Sequence, residues 1–306
     1  MASKTNLTKH AAFRPFAYVI PLNGFSGAEI ALVKDTKGST FVRKAASTLH
    51  GNEALKNQVA RQMALREQIC EVASVPEVLD DGLIEGLYYF DMQFVPSRDA
   101  NSFLIGATFD DIRRFADRIT GIMRQLSYSN NKIAQKSVFE ALSSKISEID
   151  RRTDSRYESQ ITLLQRIFKE LKKFDELSHP TYMHGDLTFE NVLIDKRDQC
   201  WLIDPISSPV EHFWLDWAKI FQDCEGLWHR HRGKKHSAGV IAWFCDHWMQ
   251  KAEEISPGYA NHHYALLALT FARILPYAKT AEDAQFVVRR VDHFGRIALN
   301  ILRDNE

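Results

Sequence analysis

The segment from Tyr182 to Asp195 (Tyr-Met-His-Gly-Asp-Leu-Thr-Phe-Glu-Asn-Val-Leu-Ile-Asp) constrains this chain more than any other. A polar loop carrying His184, Asp186 and Asn191 leads into an apolar run at 192–194, and a second apolar run at 200–203 ends at Asp204. The residues between the runs, Asp195-Lys196-Arg197-Asp198-Gln199, read as a turn, so a short hairpin is expected here among helices. Asp186 and Asn191 stand five apart, and Asp204 follows Asn191 by thirteen. Such a set suits phosphoryl transfer. One carboxylate orients an attacking hydroxyl and accepts its proton, while an amide and a second carboxylate hold Mg²⁺ against nucleotide phosphates. Short apolar strands supply the rigid platform that positioning demands. Each residue alone is equally a loop Asp, Asn or packing His making local turns; only the joint spacing points to chemistry.

The rest of the chain separates into a β-rich beginning and a helical remainder. Apolar runs at 16–22 and 29–33 flank Asn23-Gly24-Phe25-Ser26-Gly27, and the β-branched and aromatic Thr40-Phe41-Val42-Arg43-Lys44 follows the turn 34–38. Helical spacing covers about 52–72, and strand-like pieces lie at 77–79 and 87–95. Beyond residue 100, Thr108 with Asp110 and Asp111 opens a helix to about Leu126. Further helices are expected at about 136–151, 156–174, 214–225, 237–254, 260–277 and 281–303. The division falls near Pro96, giving an N-terminal lobe over 1–96 and a helical lobe over 97–306.

The motif His-Gly-Asp-Leu-Thr-Phe-Glu-Asn-Val-Leu-Ile-Asp (184–195) with Leu202-Ile203-Asp204-Pro205 resembles the catalytic loop and metal-binding Asp of the aminoglycoside phosphotransferase and choline kinase superfamily. The resemblance spans roughly residues 16–225 and implies an α+β, protein-kinase-like, two-lobed fold with a small antiparallel β-rich N-lobe and a larger, mostly helical C-lobe. It implies Asp186 as the catalytic carboxylate, His184 as the residue that holds the loop by hydrogen bonding, and Asn191 and Asp204 as ligands of Mg²⁺. Residues 23–29 would be the loop over the phosphates of ATP, with Gly24, Ser26 and Gly27 offering backbone N–H groups, although a plain hairpin turn explains them equally well. Lys44 resembles the lysine that neutralises the α- and β-phosphates. Strand alternation places Val42 and Lys44 on one face and Phe41 and Arg43 on the other, which favours Lys44 over its neighbour. The usual Glu partner of that lysine has no clear counterpart: Glu53 pairs with it, or Gln58 or Gln62 holds it, and the sequence leaves these open. Gln93 and Val95 resemble the inter-lobe strand whose backbone binds the adenine edge. Asp216, in Leu215-Asp216-Trp217-Ala218-Lys219, resembles the residue that accepts hydrogen bonds from the catalytic-loop backbone. Only eleven residues separate Asp204 from Asp216, too few for a protein-kinase activation segment, and Pro205 stands where a protein kinase has Phe.

Composition narrows the partners. The 306 residues carry 39 Lys+Arg against 39 Asp+Glu, so the simplest argument for a nucleic-acid or membrane-surface partner is gone. Cys70, Cys200, Cys224 and Cys245 form no Cys-x-x-Cys pair, and they read as reduced thiols. With no signal-like apolar core at the start and no stretch long enough to span a bilayer, the expectation is a cytoplasmic protein. The resemblance implies an acceptor that is a small molecule with a hydroxyl. Five tryptophans (Trp214, Trp217, Trp228, Trp243, Trp248) and the acids Glu211, Asp223 and Glu225 would suit a cationic acceptor if they formed a cage, but Trp at helical spacing is more simply core. The basic run 229–236 is a solvated loop, or else it attracts an anionic acceptor. The leading expectation is an ATP-dependent kinase of a sugar or sugar-like compound. The alternatives are a choline/ethanolamine- or aminoglycoside-type kinase, or a nucleotide-binding pseudokinase.

Overall fold

The computed structural model describes residues 10–22, 27–128, 138–171, 181–208 and 211–304. Residues 129–137 and 172–180, at or beyond the ends of three expected helices, lie outside it, as do Gly24 and Ser26. The chain forms two compact units, one of residues 1–98 with 193–207, the other of 99–192 with 208–306.

The first unit is built on a five-stranded antiparallel sheet. Strands β1 (Tyr18–Pro21), β2 (Glu29–Lys34) and β3 (Thr40–Ala45) follow in sequence, then come helix α1 (Gly51–Ile69), β4 (Val78–Ile84) and β5 (Leu87–Gln93). The spatial order is β1-β2-β3-β5-β4, with α1 as the excursion that lets β5 pair beside β3. The turn from β2 to β3 is set locally: the Asp35 carboxylate accepts from the N–H groups of Lys37 and Ser39, and Gly38 takes φ +90°. Side-chain alternation divides the sheet's two faces. Ile30, Val42, Phe90 and Met92 pack with Leu55 and Val59 of α1, while Ala31, Val33 and Ala45 pack with Ala12 and Phe13.

The segment that returns to this unit carries most of the hairpin β7 (Val192–Asp195) and β8 (Cys200–Leu202), joined by the short β6 (Ser97–Asp99) into a second sheet, β6-β7-β8. Asp195 closes the hairpin turn by accepting from the backbone of Arg197 and Gln199 and from the indole N–H of Trp201.

The second unit is helical. It contains α2 (Ala100–Leu104), α3 (Phe109–Leu126), α4 (Val138–Arg152), α5 (Glu158–Leu171), α6 (Trp214–Asp223), α7 (Trp228–His231), α8 (Ala238–Ile255), α9 (Tyr259–Ala272) and α10 (Ala281–Asp304). A reciprocal capping box between Thr108 and Asp111 starts α3, as the sequence pattern leads one to expect. Helix α9 is apolar around most of its circumference because α5, α6 and α10 all pack on it. Phe115 of α3, Phe189 of the polar loop, and Phe244 and Trp248 of α8 form an aromatic cluster with edge-to-face and stacked contacts. Trp214, Trp217 and Trp248 are fully buried, so they are core residues and form no open cage.

Candidate active site

In the first unit, β3 puts two adjacent cations on opposite faces of the sheet. Arg43 makes a bidentate pair with Asp91, both bonds 2.7 Å, donates to the carbonyl of Ala12 and lies over the Tyr89 ring. Its charge and donors are engaged inside the unit. Lys44, on the α1 side, has no exposed surface, and its Nζ meets Asp204 Oδ1 at 3.1 Å. Neither Glu53, Gln58 nor Gln62 is its partner. Glu53 sits at the surface beside Lys56, and Gln62 donates to the carbonyl of Pro76. Gln58 instead reaches Asp204 Oδ1 at 3.5 Å and the carbonyl of Pro205 at 3.4 Å, so it holds the lysine's partner. Asp204 itself takes φ +55°, the left-handed conformation that Asp tolerates better than most residues, and so turns the chain away at the end of β8.

The other nucleotide-binding candidates of this unit are less uniform. Gly27 takes φ +73°, and its carbonyl accepts from the Ser47 hydroxyl. The Gln93 N–H is engaged by the carbonyl of Glu77 at 2.8 Å, and the Val95 carbonyl accepts from Ser97. The Val95 N–H has no partner among the described hydrogen bonds.

In the second unit, one helix organises the polar loop. Helix α6 begins where His212 Nδ1 accepts from the Trp214 N–H and Thr181 Oγ1 accepts from the Phe213 N–H. Burial, with His262 adding to it, pushes the His212 imidazole down to about 3, which keeps its accepting nitrogen unprotonated. The helix then presents Asp216, Lys219 and Asp223, spaced i, i+3 and i+7, along one stripe, and each meets the loop. Asp216 accepts from the N–H groups of His184 at 2.5 Å and Gly185 at 2.8 Å. Lys219 Nζ lies 3.0 Å from Asp186 Oδ1. Asp223 accepts from the N–H of Phe189 at 2.7 Å. Gly185 supplies the sharp bend at φ +93°.

The loop also braces itself. Asn191 Nδ2 donates to the Asp186 carbonyl at 2.8 Å and to Asp186 Oδ2 at 3.0 Å, and His184 Nδ1 accepts from the Asp186 N–H. Asp186 therefore has each carboxylate oxygen engaged, one by the loop and one by α6, while the side chain stays about one-third exposed. Burial pushes its carboxyl up, but the charges of Lys219, Arg273 and His184 outweigh this and hold it below the usual range. Asp223, with 3% of its surface exposed, is pushed by burial up to about 7, with Glu190 adding to the shift and the Phe189 N–H opposing it.

The basic run is not a free loop. His229, buried in the single turn α7, bonds the Asp223 carbonyl through Nδ1, and His236 bonds Asn101 at 3.0 Å while packing against His229 and Phe189. Burial raises the Glu190 carboxyl, against the fields of Lys234 and Arg232 and with those of Asp99 and Asp186. Lys219 and Asp223 are the residues the motif reading did not assign to the loop; their spacing from Asp216 on one helix was the available signal.

The family model of the phosphotransferase enzyme family matches residues 19–235, and the chain belongs to that family. It is a small-molecule kinase. Amicoumacin kinase, solved with AMP-PNP, Ca²⁺ and Ami, has a TM-score of 0.64 at 12% identity, covering 96% of this chain and 94% of its own. The GDP complex of aminoglycoside 2′-phosphotransferase-IIIa gives 0.62 at 14%, covering 95% and 96%. Macrolide 2′-phosphotransferase type I gives 0.58 at 16%, covering 93% and 95%. At these identities the likeness is one of fold. No curated protein matches the chain. No helix among the described residues is long and apolar enough to cross a membrane.

Proposed function

We propose that this kinase transfers the γ-phosphoryl group of ATP to a hydroxyl of a sugar or sugar-like metabolite, with Asp186 as the carboxylate that orients the hydroxyl and takes its proton. The observation that carries the reading is the clamp on Asp186: both oxygens are fixed, by Asn191 and Lys219, on a loop tied to α6 at three points. Phosphoryl transfer asks for little covalent chemistry from a protein and much positioning. Nucleotide use has support from the GDP- and AMP-PNP-bound relatives of the same fold. Lys44, with its buried ammonium, is the proposed partner of the nucleotide phosphates, with Gly24, Ser26 and Gly27 as the loop over them and the Val95 backbone on the adenine edge. The Gln93 carbonyl is the remaining candidate at that residue.

The donor chemistry fits Mg²⁺. Both acceptors that Asn191 Nδ2 meets are oxygens, so the amide is oriented with Oδ1 outward, and no described hydrogen bond uses that atom. Asp204 has Oδ1 engaged by Lys44 and Gln58, while Oδ2 has no partner among the described hydrogen bonds. Hard oxygens of this kind are what Mg²⁺ takes, the rest of its shell coming from phosphates and water. Asn191 and Asp204 would hold the ion, and bound Mg²⁺ would neutralise phosphate charge.

The sugar class of acceptor is proposed on the mixed charge around Glu190. Acids (Glu190, Asp99) and bases (Lys234, Arg232) act on one another there with opposed signs, which suits a hydroxyl-rich acceptor that donates to carboxylates and accepts from cations. An uncompensated acidic pocket or an aromatic cage would favour a cationic amine, and the buried tryptophans provide no cage. The test is incubation with MgATP and a panel of sugars, sugar acids and amino alcohols, read by phosphorus NMR. Phosphorylation of a sugar class is expected. Exclusive phosphorylation of choline or an aminoglycoside would overturn the acceptor assignment.

A further inference from the structure

The ammonium of Lys219 is an expensive group to place where it stands. Only 7% of the residue's surface is exposed, and α6 is buried along its whole length. A buried ion pair is a poor stabiliser compared with an apolar residue of similar volume, because desolvation offsets the attraction. Packing alone would be met by Met or Leu. What the ammonium does instead is specific. It donates to Asp186 Oδ1 at 3.0 Å and to Gln222 Oε1 at 3.3 Å. An ammonium has three N–H donors, and the third has no partner among the described hydrogen bonds.

We propose that Lys219 is a positioning residue for phosphoryl transfer, fixing the Asp186 carboxylate in the orientation that receives the acceptor hydroxyl. Asn191 alone restrains one carboxylate oxygen and leaves rotation about the Cβ–Cγ bond open to solvent competition; Lys219 restrains the other from a separate helix. With both in place, the lone pairs left on the carboxylate point in fixed directions. In the step itself the acceptor O–H proton passes to Asp186. The acceptor oxygen forms a bond to the γ-phosphorus, the bond from that phosphorus to the β-γ bridging oxygen breaks, and ADP leaves with the electron pair. Lys219 takes no part in the proton transfer; burial pushes its ammonium down and the Asp186 carboxylate beside it opposes that shift. A misdirected carboxylate lowers the rate of this step without weakening either substrate's binding.

The inference rests on the kinase reading above, and one set of variants separates the two. Lys219→Met, Lys219→Arg and the wild type are compared for kcat, for KM of ATP and of the acceptor, and for thermal midpoint. Lys219→Met is expected to lower kcat by about 100-fold, with both KM values within about threefold and the fold retained, while Lys219→Arg restores kcat to within about tenfold of wild type. A kcat for Lys219→Met within threefold of wild type overturns the proposal, as does a kcat loss matched by a falling midpoint that Lys219→Arg does not repair. Should Lys219→Met not fold, Lys219→Arg decides: raised KM values with unchanged kcat contradict the positioning role. A wild-type protein that transfers phosphoryl to no acceptor and to no water overturns the kinase reading itself, and with it this role.

Discussion

Arg43 and Lys44 are neighbours in sequence and differ by one peptide unit in space, yet the sheet gives them unrelated tasks. Arg43 and Asp91 are both nearly dry, so replacing Arg43 with Met leaves a carboxylate unpaired in the core, an expected loss of roughly 3 to 5 kcal/mol in chemical unfolding. Lys44→Met leaves Asp204, about one-third exposed and reachable by water, so a much smaller stability change is expected together with a marked loss of ATP affinity by calorimetry. A stable Arg43→Met protein or an unchanged ATP affinity in Lys44→Met would contradict this division. The family resemblance, with strand alternation to separate Lys44 from Arg43, made the choice of Lys44 legible in the sequence. The partner of Lys44 was not legible, because Asp204 lies 160 residues away and Gln58 acts on that partner rather than on the lysine. Asp223 carries a further expectation. Its folded value near 7 lies above the ordinary carboxylate value of 3.8, so the folded state binds the extra proton between roughly pH 4 and 7. Stability from this group is therefore present at acid pH and is lost as pH rises through about 7. Asp223→Asn, whose amide oxygen still accepts from Phe189, is expected to raise the thermal midpoint at pH 8 and to change it little at pH 5.

At the scale of elements, α6 is the organiser of the candidate site. Its stripe of Asp216, Lys219 and Asp223 is written plainly in the sequence, but polar residues at i, i+3 and i+7 normally mark a solvent-facing side. Here the helix is buried on every side, and the polar stripe faces a loop whose backbone N–H groups need acceptors. That reversal depends on tertiary packing and could not be read from periodicity. Gly226 lies just past the helix's C-terminal end, where a Cβ would stand 2.5 Å from the Phe271 ring and 2.6 Å from the Gln222 carbonyl. Neither neighbour is a flexible chain end, so Gly226→Ala is expected to cost roughly 2 kcal/mol or more by chemical denaturation; a neutral result would mean that this end of α6 can shift. The long helices and the two hairpins were legible because their periods of 3.6 and 2 are sustained. Strand β6, helix α2 and helix α7 were not, since three to five residues carry no period. The basic run was legible as charge only, whereas the structure shows His229 and His236 turned inward to anchor it.

For the whole molecule, the sequence motif located the loop, and the second unit explains its rigidity: Asp216, Lys219 and Asp223 of α6 hold it from one side, and Asn191 braces it from within. Four cysteines accompany this architecture, with Cys70 exposed, Cys245 intermediate, and Cys200 and Cys224 buried. A thiol reagent is expected to label Cys70 quickly in the native protein and Cys200 and Cys224 only on unfolding, with no change of midpoint on adding reductant. The central claim concerns one carboxylate. Asp186→Asn preserves the shape of the side chain and removes its ability to take a proton. The decisive measurement is transfer of radiolabelled γ-phosphate from MgATP to the acceptor by wild-type protein and by Asp186→Asn of equal thermal midpoint. A fall in kcat of about 1,000-fold or more is expected, with ATP still bound. Transfer by Asp186→Asn at a rate near that of the wild type would contradict the account.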